Sequence, residues 1–253
     1  MRLPAELPAP WRQSDAIREL EGLTNRQWLL ESAGHKAVLR LANPDHSLGI
    51  DRGAEQRAWR WAAGQGISPP LLWQQGDWSL SAHVDGATGP ATAQGLDALL
   101  GHIRALQGAE LALPVLDLPA RARLMGAEPG PVAAYGLIAA TPMPLVPTHV
   151  DLVPENCLWQ GRRLWLIDWE YASLADPYYD LAGVLVTHEL DRTLLAERWR
   201  ALTGQRLDLR RLMAMEAIYA HLCELWCLAV HPERAADYRV KWQRRLAALG
   251  QAL

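Results

Sequence analysis

The amino-acid sequence predicts an α+β fold, with short strands concentrated in the first 84 residues and helices concentrated after them. Residues 35–41 read as a strand, on which alternation puts Ala37, Leu39 and Leu41 on one apolar face. Apolar residues recur at helical spacing over residues 92–106 and again beyond residue 194. A Gly-Arg-Arg turn at 161–163 separates two apolar runs and indicates a β-hairpin within the helical part.

Length and composition exclude several classes of protein. The chain has 253 residues, half of them hydrophobic, and can therefore bury a globular core. A net charge of −3 argues against a nucleic-acid partner. Prolines interrupt the start of the chain before a signal peptide can form, and no apolar run approaches the ~20 residues of a membrane span. Three cysteines fit a reducing compartment, so we expect a cytoplasmic protein; nothing in the sequence indicates an oligomeric state.

The first connection in the strand-rich part contains Gly22, Thr24 and Asn25, and it joins a short apolar strand to a second one at 27–30. A glycine in such a turn lets backbone N–H groups approach phosphates closely. Turns that contain Gly and Asn are common, so this loop alone is weak evidence for a phosphate site.

The strand at 35–41 places Lys36, Val38 and Arg40 on one face, because side chains alternate along a strand. A guanidinium on this face suits a bidentate grip on phosphate oxygens. The alternative is a solvated Lys36 with Arg40 at an edge.

The next segment predicts a helix that Asp51 caps and that ends at the glycines of 64–66. Glu55 lies on the apolar face of this helix. From the residues alone, Glu55 can pair with Arg52 or Arg60 on the helix surface.

A further strand at 80–84 ends the strand-rich part, and a helix with an apolar stripe is predicted from Thr92 to Leu106. Residues 107–147 are rich in Pro, Gly and Ala and predict one or two short helices. Three longer helices are expected towards the C-terminus, at 194–202, 209–230 and 232–249.

The most informative segment runs from Thr148 to Asp168. It carries His149, Asp151 and Asn156 on one loop, and Asp168 follows the predicted hairpin. Asn156 would end the loop where the first strand of the hairpin begins, and Asp168 would emerge where the second strand stops. Two metal-competent side chains would then lie side by side, facing the free carboxylate of Asp151.

Phosphoryl transfer from a nucleotide requires this layout. Mg²⁺ prefers oxygen ligands, which Asp168 and the amide of Asn156 supply, and Asp151 can accept the proton of an attacking hydroxyl. The D-x-x-x-x-N spacing is that of a protein-kinase catalytic loop. Val150 replaces the usual Arg, and Asp168-Trp169-Glu170 replaces Asp-Phe-Gly, which counts against a protein kinase.

The segment H-V-D-L-V-P-E-N-C-L-W, followed by L-I-D-W-E-Y-A and D-P-Y-Y-D-L-A, closely resembles the choline/ethanolamine kinase and aminoglycoside phosphotransferase superfamily. It is most similar to the bacterial choline kinase and thiamine kinase group. The alternative is a chance Asp/Asn-rich turn beside two strands. The resemblance implies a protein-kinase-like bilobal fold with a small antiparallel-sheet N-lobe that carries one helix. Residues 1–84 would be the nucleotide-binding lobe, and residues 85–253 a mostly helical catalytic and acceptor-binding lobe.

The resemblance also implies roles for residues of the N-lobe, with ATP and Mg²⁺ as cofactors. The V-L-R-L match makes Arg40 the phosphate cation, and the I-D-R-x-x-E match makes Glu55 its partner. The nucleotide would be bound by the loop residues Gly22, Thr24 and Asn25 and by the adenine-binding hinge residues Ala82, His83 and Val84. The side chain of His83 itself is better read as a packing residue.

In the C-lobe, the resemblance makes Asp180 a structural brace of the loop that carries Asp151, with His149 also structural. Aromatic faces bind quaternary or protonated amines, each favourable contact being worth ~0.5–2 kcal/mol. The candidates for the acceptor pocket are four aromatic residues and two acids, namely Trp226, Tyr219, Tyr178, Trp169, Glu170 and Glu224. For any one of them an ordinary core position is an equally good interpretation.

The sequence therefore predicts an ATP-dependent kinase that phosphorylates the hydroxyl of a small amino alcohol such as choline, thiamine or an ethanolamine-like compound. An aminoglycoside or sugar phosphotransferase is the first alternative. The second is a non-catalytic kinase-like protein that binds a nucleotide or a cationic metabolite.

Overall fold

The computed structural model describes residues 3–14, 16–20, 25–43, 49–126 and 130–251. Its N-lobe is a five-stranded antiparallel sheet with the strand order β1-β2-β3-β5-β4. The strands are β1 (Ala16–Leu20), β2 (Arg26–Ser32), β3 (His35–Leu41), β4 (Leu71–Gln75) and β5 (Trp78–Ala82). One helix, α1 (Arg52–Gly64), lies between β3 and β4 in the chain.

The two faces of β3 have different environments, as the alternation in the sequence predicts. Ala37 and Leu39 are fully buried in a cluster with Leu80 of β5, and Trp11 covers the same face. The opposite face of β3 carries Arg40 into a cavity between the lobes. The sheet therefore separates a small apolar core from a polar face that is available to a ligand.

Helix α1 begins where the sequence predicts. The side chain of Asp51 accepts hydrogen bonds from the backbone N–H groups of Gly53 and Ala54 at 2.8 and 3.0 Å. This contact satisfies N–H groups that have no partner within the helix. Glu55 and Trp59 are buried on the inner face, so α1 holds a carboxylate against the sheet.

The C-lobe consists of seven helices and five short strands in the part of the chain described. The helices are α2 (Leu96–Gln107), α3 (Leu118–Leu124), α4 (Val132–Ala140), α5 (Tyr179–Thr187), α6 (Arg192–Thr203), α7 (Leu209–Val230) and α8 (Pro232–Gln251). Strands β6 (Ala87–Thr88), β8 (Cys157–Gln160) and β9 (Arg163–Leu166) form one sheet, and β7 (Val146–Thr148) pairs with β10 (Ser173–Ala175). The hairpin predicted around residues 161–163 is the β8–β9 pair.

Helix α7 corrects the prediction that no apolar run approaches membrane-spanning length. It has 22 residues and is long and apolar enough to cross a membrane by length and composition alone. Within the fold, 67% of its apolar window is buried, and it packs against α4, α5 and α8. Its apolarity is therefore explained by its position at the centre of the C-lobe.

The predicted α+β class, with an antiparallel-sheet N-lobe and a helical C-lobe, is confirmed. The helix predicted from Thr92 begins only at Leu96, because Thr92 accepts from the backbone of Gly95 and forms a turn first. One or two short helices were expected in 107–147, and the structure has two, α3 and α4. The boundary between the lobes at residue 84 stays a prediction.

Candidate active site

A strained loop carries Asp151. Its neighbour Val150 has φ +74°, a left-handed conformation that is rare for a β-branched residue. The two carboxylate oxygens of Asp180 accept from the backbone N–H groups of His149 and Val150 at 2.8 and 2.9 Å. Asp180 on α5 thus makes the bracing contact predicted for it, and the buried pair of hydrogen bonds offsets the strain.

His149 ties this loop to the strand that precedes Asp168. Its ring is fully buried, with Nε2 3.1 Å from the carbonyl oxygen of Ile167, and its centroid lies 4.5 Å from that of Trp169. Burial lowers the pKa of His149 to about 4, so the ring is neutral near pH 7. These contacts agree with a structural role.

Asn156 ends a short 3-10 turn immediately before β8 and faces Asp151. Its amide Nδ2 donates to Oδ2 of Asp151 at 2.8 Å and to the backbone oxygen of Asp151 at 2.9 Å. Burial, followed by the charge of Glu170, raises the pKa of Asp151 to about 7, and the Asn156 hydrogen bond opposes this rise. A carboxylate with this pKa can accept a proton at neutral pH.

Arg40 connects the N-lobe sheet to Asp168. Its Nη1 lies 2.7 Å from Oδ1 of Asp168, and its Nε lies 3.3 Å from the hydroxyl of Ser79. Its Nη2 donates to Glu55, which is completely buried. The predicted contact between Arg40 and Glu55 is therefore present, and Glu55 restricts the guanidinium to the face of the sheet that lines the cavity.

Both interpretations of Glu55 are realised together. Its second oxygen accepts from Nη1 of Arg52 at 2.8 Å. The same Arg52 nitrogen lies 3.3 Å from Oε2 of Glu170, and Arg40 lies 3.6 Å from that oxygen. Glu170 lines the cavity, but its carboxylate is engaged by N-lobe guanidinium groups rather than open to an acceptor.

Asp168 and Asn156 have the donor chemistry that a magnesium site needs. Asp168 has φ +62° and its carboxylate points into the same cavity as Asn156. Because Asn156 donates through its amide nitrogen to Asp151, its amide oxygen remains as a ligand atom, and Mg²⁺ prefers oxygen ligands of both kinds. Burial, followed by the charge of Glu170, raises the pKa of Asp168 to about 8, and the charge of Arg40 opposes this rise. These residues fit Mg²⁺.

Arg40, Asp151, Asn156, Asp168 and Glu170 all line one cavity of about 750 Å³ between the lobes. At its N-lobe end lie Ala82, His83 and Val84, as predicted for the hinge, and Asn25 also lines it. Gly22 and Thr24, predicted for the nucleotide loop, lie outside the described residues. Trp59 of α1 was not predicted here; its indole N–H donates to the backbone oxygen of Pro69 at 2.8 Å and fixes the ring at the cavity wall.

The other end of the cavity, here called the aromatic end, is lined by Tyr171, Tyr179, Tyr219, Trp226 and Tyr238. Two of these, Tyr219 and Trp226, were predicted from the sequence. On α7 they are spaced by seven residues, so they share a helix face. Helical spacing from Tyr219 also points to Leu222 and Cys223, which do line the cavity. Tyr171, Tyr179 and Tyr238 come from other elements and carry no such signal.

Three predicted pocket residues lie elsewhere. Trp169 is fully buried and donates to the hydroxyl of Ser68 at 3.2 Å, so it belongs to the core beneath His149. The hydroxyl of Tyr178 accepts from the backbone N–H of Asp208 at 2.9 Å at the start of α7.

Glu224 is the third misplaced residue. It is five residues after Tyr219 and therefore on another face of α7, where it accepts from Nε of Arg239 at 2.6 Å and from Trp242. Its carboxylate holds α8 against α7, and it is not available to a cation in the cavity. Spacing along the helix was the signal that could have excluded it.

Comparisons with known proteins agree with this geometry. A family model described as "Phosphotransferase enzyme family" matches residues 82–215. Protein LicA of Haemophilus influenzae is 35% identical over 108 residues, which are 38% of this chain and 40% of that protein. A thiamine kinase of Salmonella heidelberg is 31% identical over 103 residues, which are 41% of this chain and 34% of that protein.

The matched segment thus spans well under half the length of either curated relative. Among solved structures, the choline kinase LicA from Streptococcus pneumoniae has a TM-score of 0.80 at 16% identity, covering 92% of this chain and 94% of that one. This likeness establishes a shared fold over nearly the whole chain.

Proposed function

The chain belongs to the phosphotransferase enzyme family, and we propose that it is a small-molecule kinase that transfers the γ-phosphoryl group of ATP to the hydroxyl of an amino alcohol. The observation that carries the proposal is the convergence of Asp151, Asn156, Asp168 and Arg40 on one cavity with a hinge at one end and an aromatic end at the other. Family membership supports phosphoryl transfer in general, and the aromatic end supports the choice of acceptor.

Asp151 would act as the proton acceptor. Its carboxylate is oriented by Asn156 and lies on a loop that Asp180 holds rigidly. A base with a pKa near 7 can take a proton from the acceptor hydroxyl as it attacks phosphorus. Rigid placement contributes as much as basicity, because phosphoryl transfer depends on positioning and on neutralisation of charge.

Arg40 would hold phosphate oxygens of the nucleotide. Its guanidinium is fixed by Glu55 and Ser79 and needs no rearrangement of the backbone to face the cavity. Asp168 and Asn156 are the residues that would hold Mg²⁺. When bound, this ion would neutralise charge on the transferring phosphates.

The adenine would lie against the hinge residues Ala82, His83 and Val84, beside Val38 and Trp59. At the aromatic end, the faces of Tyr219 and Trp226 would receive the acceptor. A cationic head group binds such faces through the ring quadrupole, while the hydroxyl extends towards Asp151.

The charge at the aromatic end favours a compact amino alcohol over an aminoglycoside. Besides Asp151, Asp168 and Glu170, the acid among the described lining residues is Glu155, whose carboxylate lies 3.8 Å from Arg234. Arg121 also lines the cavity, with its guanidinium 4.9 Å from the centroid of the Tyr171 ring. A polycation would meet two arginines there and few free acids.

The test is a panel of acceptors. Purified protein is incubated with Mg-ATP and choline, thiamine, ethanolamine, a hexose or an aminoglycoside, and release of ADP is followed. We expect turnover that depends on choline or thiamine. Turnover only with the hexose or the aminoglycoside would replace the amino-alcohol assignment, and ADP binding without turnover on any acceptor would point to a non-catalytic protein.

A further inference from the structure

Arg52 is the first residue of α1, and its side chain extends between the two lobes. A single nitrogen, Nη1, lies 2.8 Å from Oε2 of Glu55 and 3.3 Å from Oε2 of Glu170. Glu55 belongs to the N-lobe and is fully buried, whereas Glu170 follows β9 in the C-lobe and is 7% exposed. One guanidinium therefore joins two buried carboxylates that belong to different lobes.

The same two carboxylates control the groups proposed to bind phosphate and metal. Glu55 accepts from Arg40, and Glu170 is separated from Asp168 by a single residue. Glu55, Asp168 and Glu170 bring their oxygens within 4.8 Å of one another. Three acids at this distance repel strongly in a buried site unless cations lie between them. Within the described residues, Arg40 and Arg52 are the cations that contact all or part of this cluster.

The nucleotide loop is tied to the same point. Nδ2 of Asn25, at the end of the β1–β2 connection, lies 3.5 Å from Oε2 of Glu170. That one oxygen therefore receives Asn25, Arg52 and, at 3.6 Å, Arg40. Arg52 makes the shortest of these contacts and is the only one of the three groups placed on α1.

We propose that Arg52 is a positioning residue, which bridges Glu55 and Glu170 and so keeps Arg40 and Asp168 facing one another for nucleotide binding. The inference rests on the proposed function, because it assigns Arg52 to the same nucleotide site. Arg52 does not itself touch the reacting atoms. It acts through Glu55 on Arg40, and through Glu170 on the segment that carries Asp168.

A role for Glu170 as the partner of Arg52 can be distinguished from a role as a metal ligand. If Glu170 serves the bridge, losing either partner weakens nucleotide binding even without a divalent ion. If Glu170 acts only as a metal ligand, its removal has no effect on metal-free binding. Calorimetric titration of ADP in EDTA, repeated in Mg²⁺, separates the two.

The variants are Arg52→Gln, Arg52→Lys and Glu170→Gln, with Arg60→Gln as the matched control. Arg60 is exposed on the same helix, so this control loses the same charge without touching the cluster. We expect Arg52→Gln and Glu170→Gln each to weaken ADP binding in EDTA about tenfold, as for loss of a charged hydrogen bond. Arg52→Lys should recover most of the loss, and Arg60→Gln should bind as the wild type does.

A double variant tests whether Arg52 works through Arg40. In an Arg40→Gln background, the further change Arg52→Gln should add less than about twofold, because the group that it positions is already absent. If the double variant instead loses ADP affinity by the product of the two single-variant losses, Arg52 acts independently of Arg40 and the proposal is overturned. If Arg52→Gln does not fold, the ADP affinity of Glu170→Gln in EDTA tests the proposal instead. A wild-type affinity in that variant would overturn the bridging role of Arg52.

The outcome for the wild type separates this inference from the proposed function. A wild-type protein that binds ADP neither in EDTA nor in Mg²⁺ would remove the nucleotide site and with it the role of Arg52. A wild-type protein that binds ADP while Arg52→Gln binds it equally well would leave the kinase proposal intact and overturn only the positioning role.

Discussion

Replacing Asp151 by Asn tests the centre of the proposed mechanism. The amide keeps an oxygen that can accept the Asn156 hydrogen bond, now 2.8 Å long, so the loop geometry is retained while the basic carboxylate is lost. Proton transfer by a placed side chain is worth about 10²–10⁴ in rate. We therefore expect kcat/KM to fall at least ~100-fold, which corresponds to about 3 kcal/mol in the barrier.

The pH dependence of kcat/KM provides a second quantitative test of Asp151. Because the pKa of Asp151 is about 7, its carboxylate is roughly one-tenth ionised at pH 6 and nine-tenths ionised at pH 8. Only the ionised form can accept a proton. Asp168 titrates in the same range, so the informative quantity is the ratio of wild-type to variant kcat/KM at each pH. We expect this ratio to rise about tenfold from pH 6 to pH 8.

The assay is ADP release with Mg-ATP and the acceptor found in the panel. Asp237→Asn, an exposed acid on α8, is the matched control and should retain wild-type turnover. The affinity of the Asp151→Asn variant for ADP should stay within about twofold of wild type, since Asp151 is not proposed to contact the nucleotide. Wild-type turnover in Asp151→Asn, or a ratio that does not change with pH, would refute the assignment of Asp151 as the base.

Three further predictions concern other parts of the site. Arg40→Lys keeps the charge but loses the forked donor geometry, so ADP affinity measured by calorimetry should fall about tenfold or more, and unchanged affinity would contradict a phosphate role. The pKa of His149 is lowered to about 4, so the unfolded chain takes up a proton between pH 6.5 and pH 4 that the folded chain refuses, and stability is lost as the pH falls. In urea denaturation, wild type should therefore lose about 2 kcal/mol more than His149→Gln between pH 7.5 and pH 5, and equal losses would contradict a buried neutral ring. Trp226→Leu should raise KM for the acceptor by about 2- to 30-fold and leave KM for ATP unchanged; an effect on ATP alone would move Trp226 out of the acceptor site.

The local part of the site could be read from the sequence because it depends on short-range geometry. The hairpin places Asn156 and Asp168 at one end of two paired strands, and a turn residue at Gly161 sets their register. Alternation along β3 likewise places Arg40 on one face of the sheet, whereas its pairing with Glu55 was implied by the resemblance to a kinase family. The hairpin brings Asn156 and Asp168 together by local pairing alone.

The errors concern side chains whose neighbours come from distant segments. Trp169 and Tyr178 lie beside active-site residues in the sequence, but each has a hydrogen-bond partner, Ser68 and the backbone of Asp208 respectively, that only the tertiary structure supplies. Burying a polar ring edge without such a partner is costly, so the partner decides where the ring lies. Neither the composition nor the motifs of the sequence identify that hydrogen-bond partner.

The sequence alone determined the α+β architecture, the hairpin that follows the loop of Asp151 and Asn156, and the face of β3 that carries Arg40, because periodicity and spacing specify which side chains share a face. Only the tertiary structure decided that Arg52 and Glu170 join the lobes, and that Tyr171, Tyr179 and Tyr238 complete the aromatic end. The physical reason is that these contacts depend on how sheets and helices pack across the cavity, and packing brings together residues more than a hundred positions apart, as with Arg40 and Asp168.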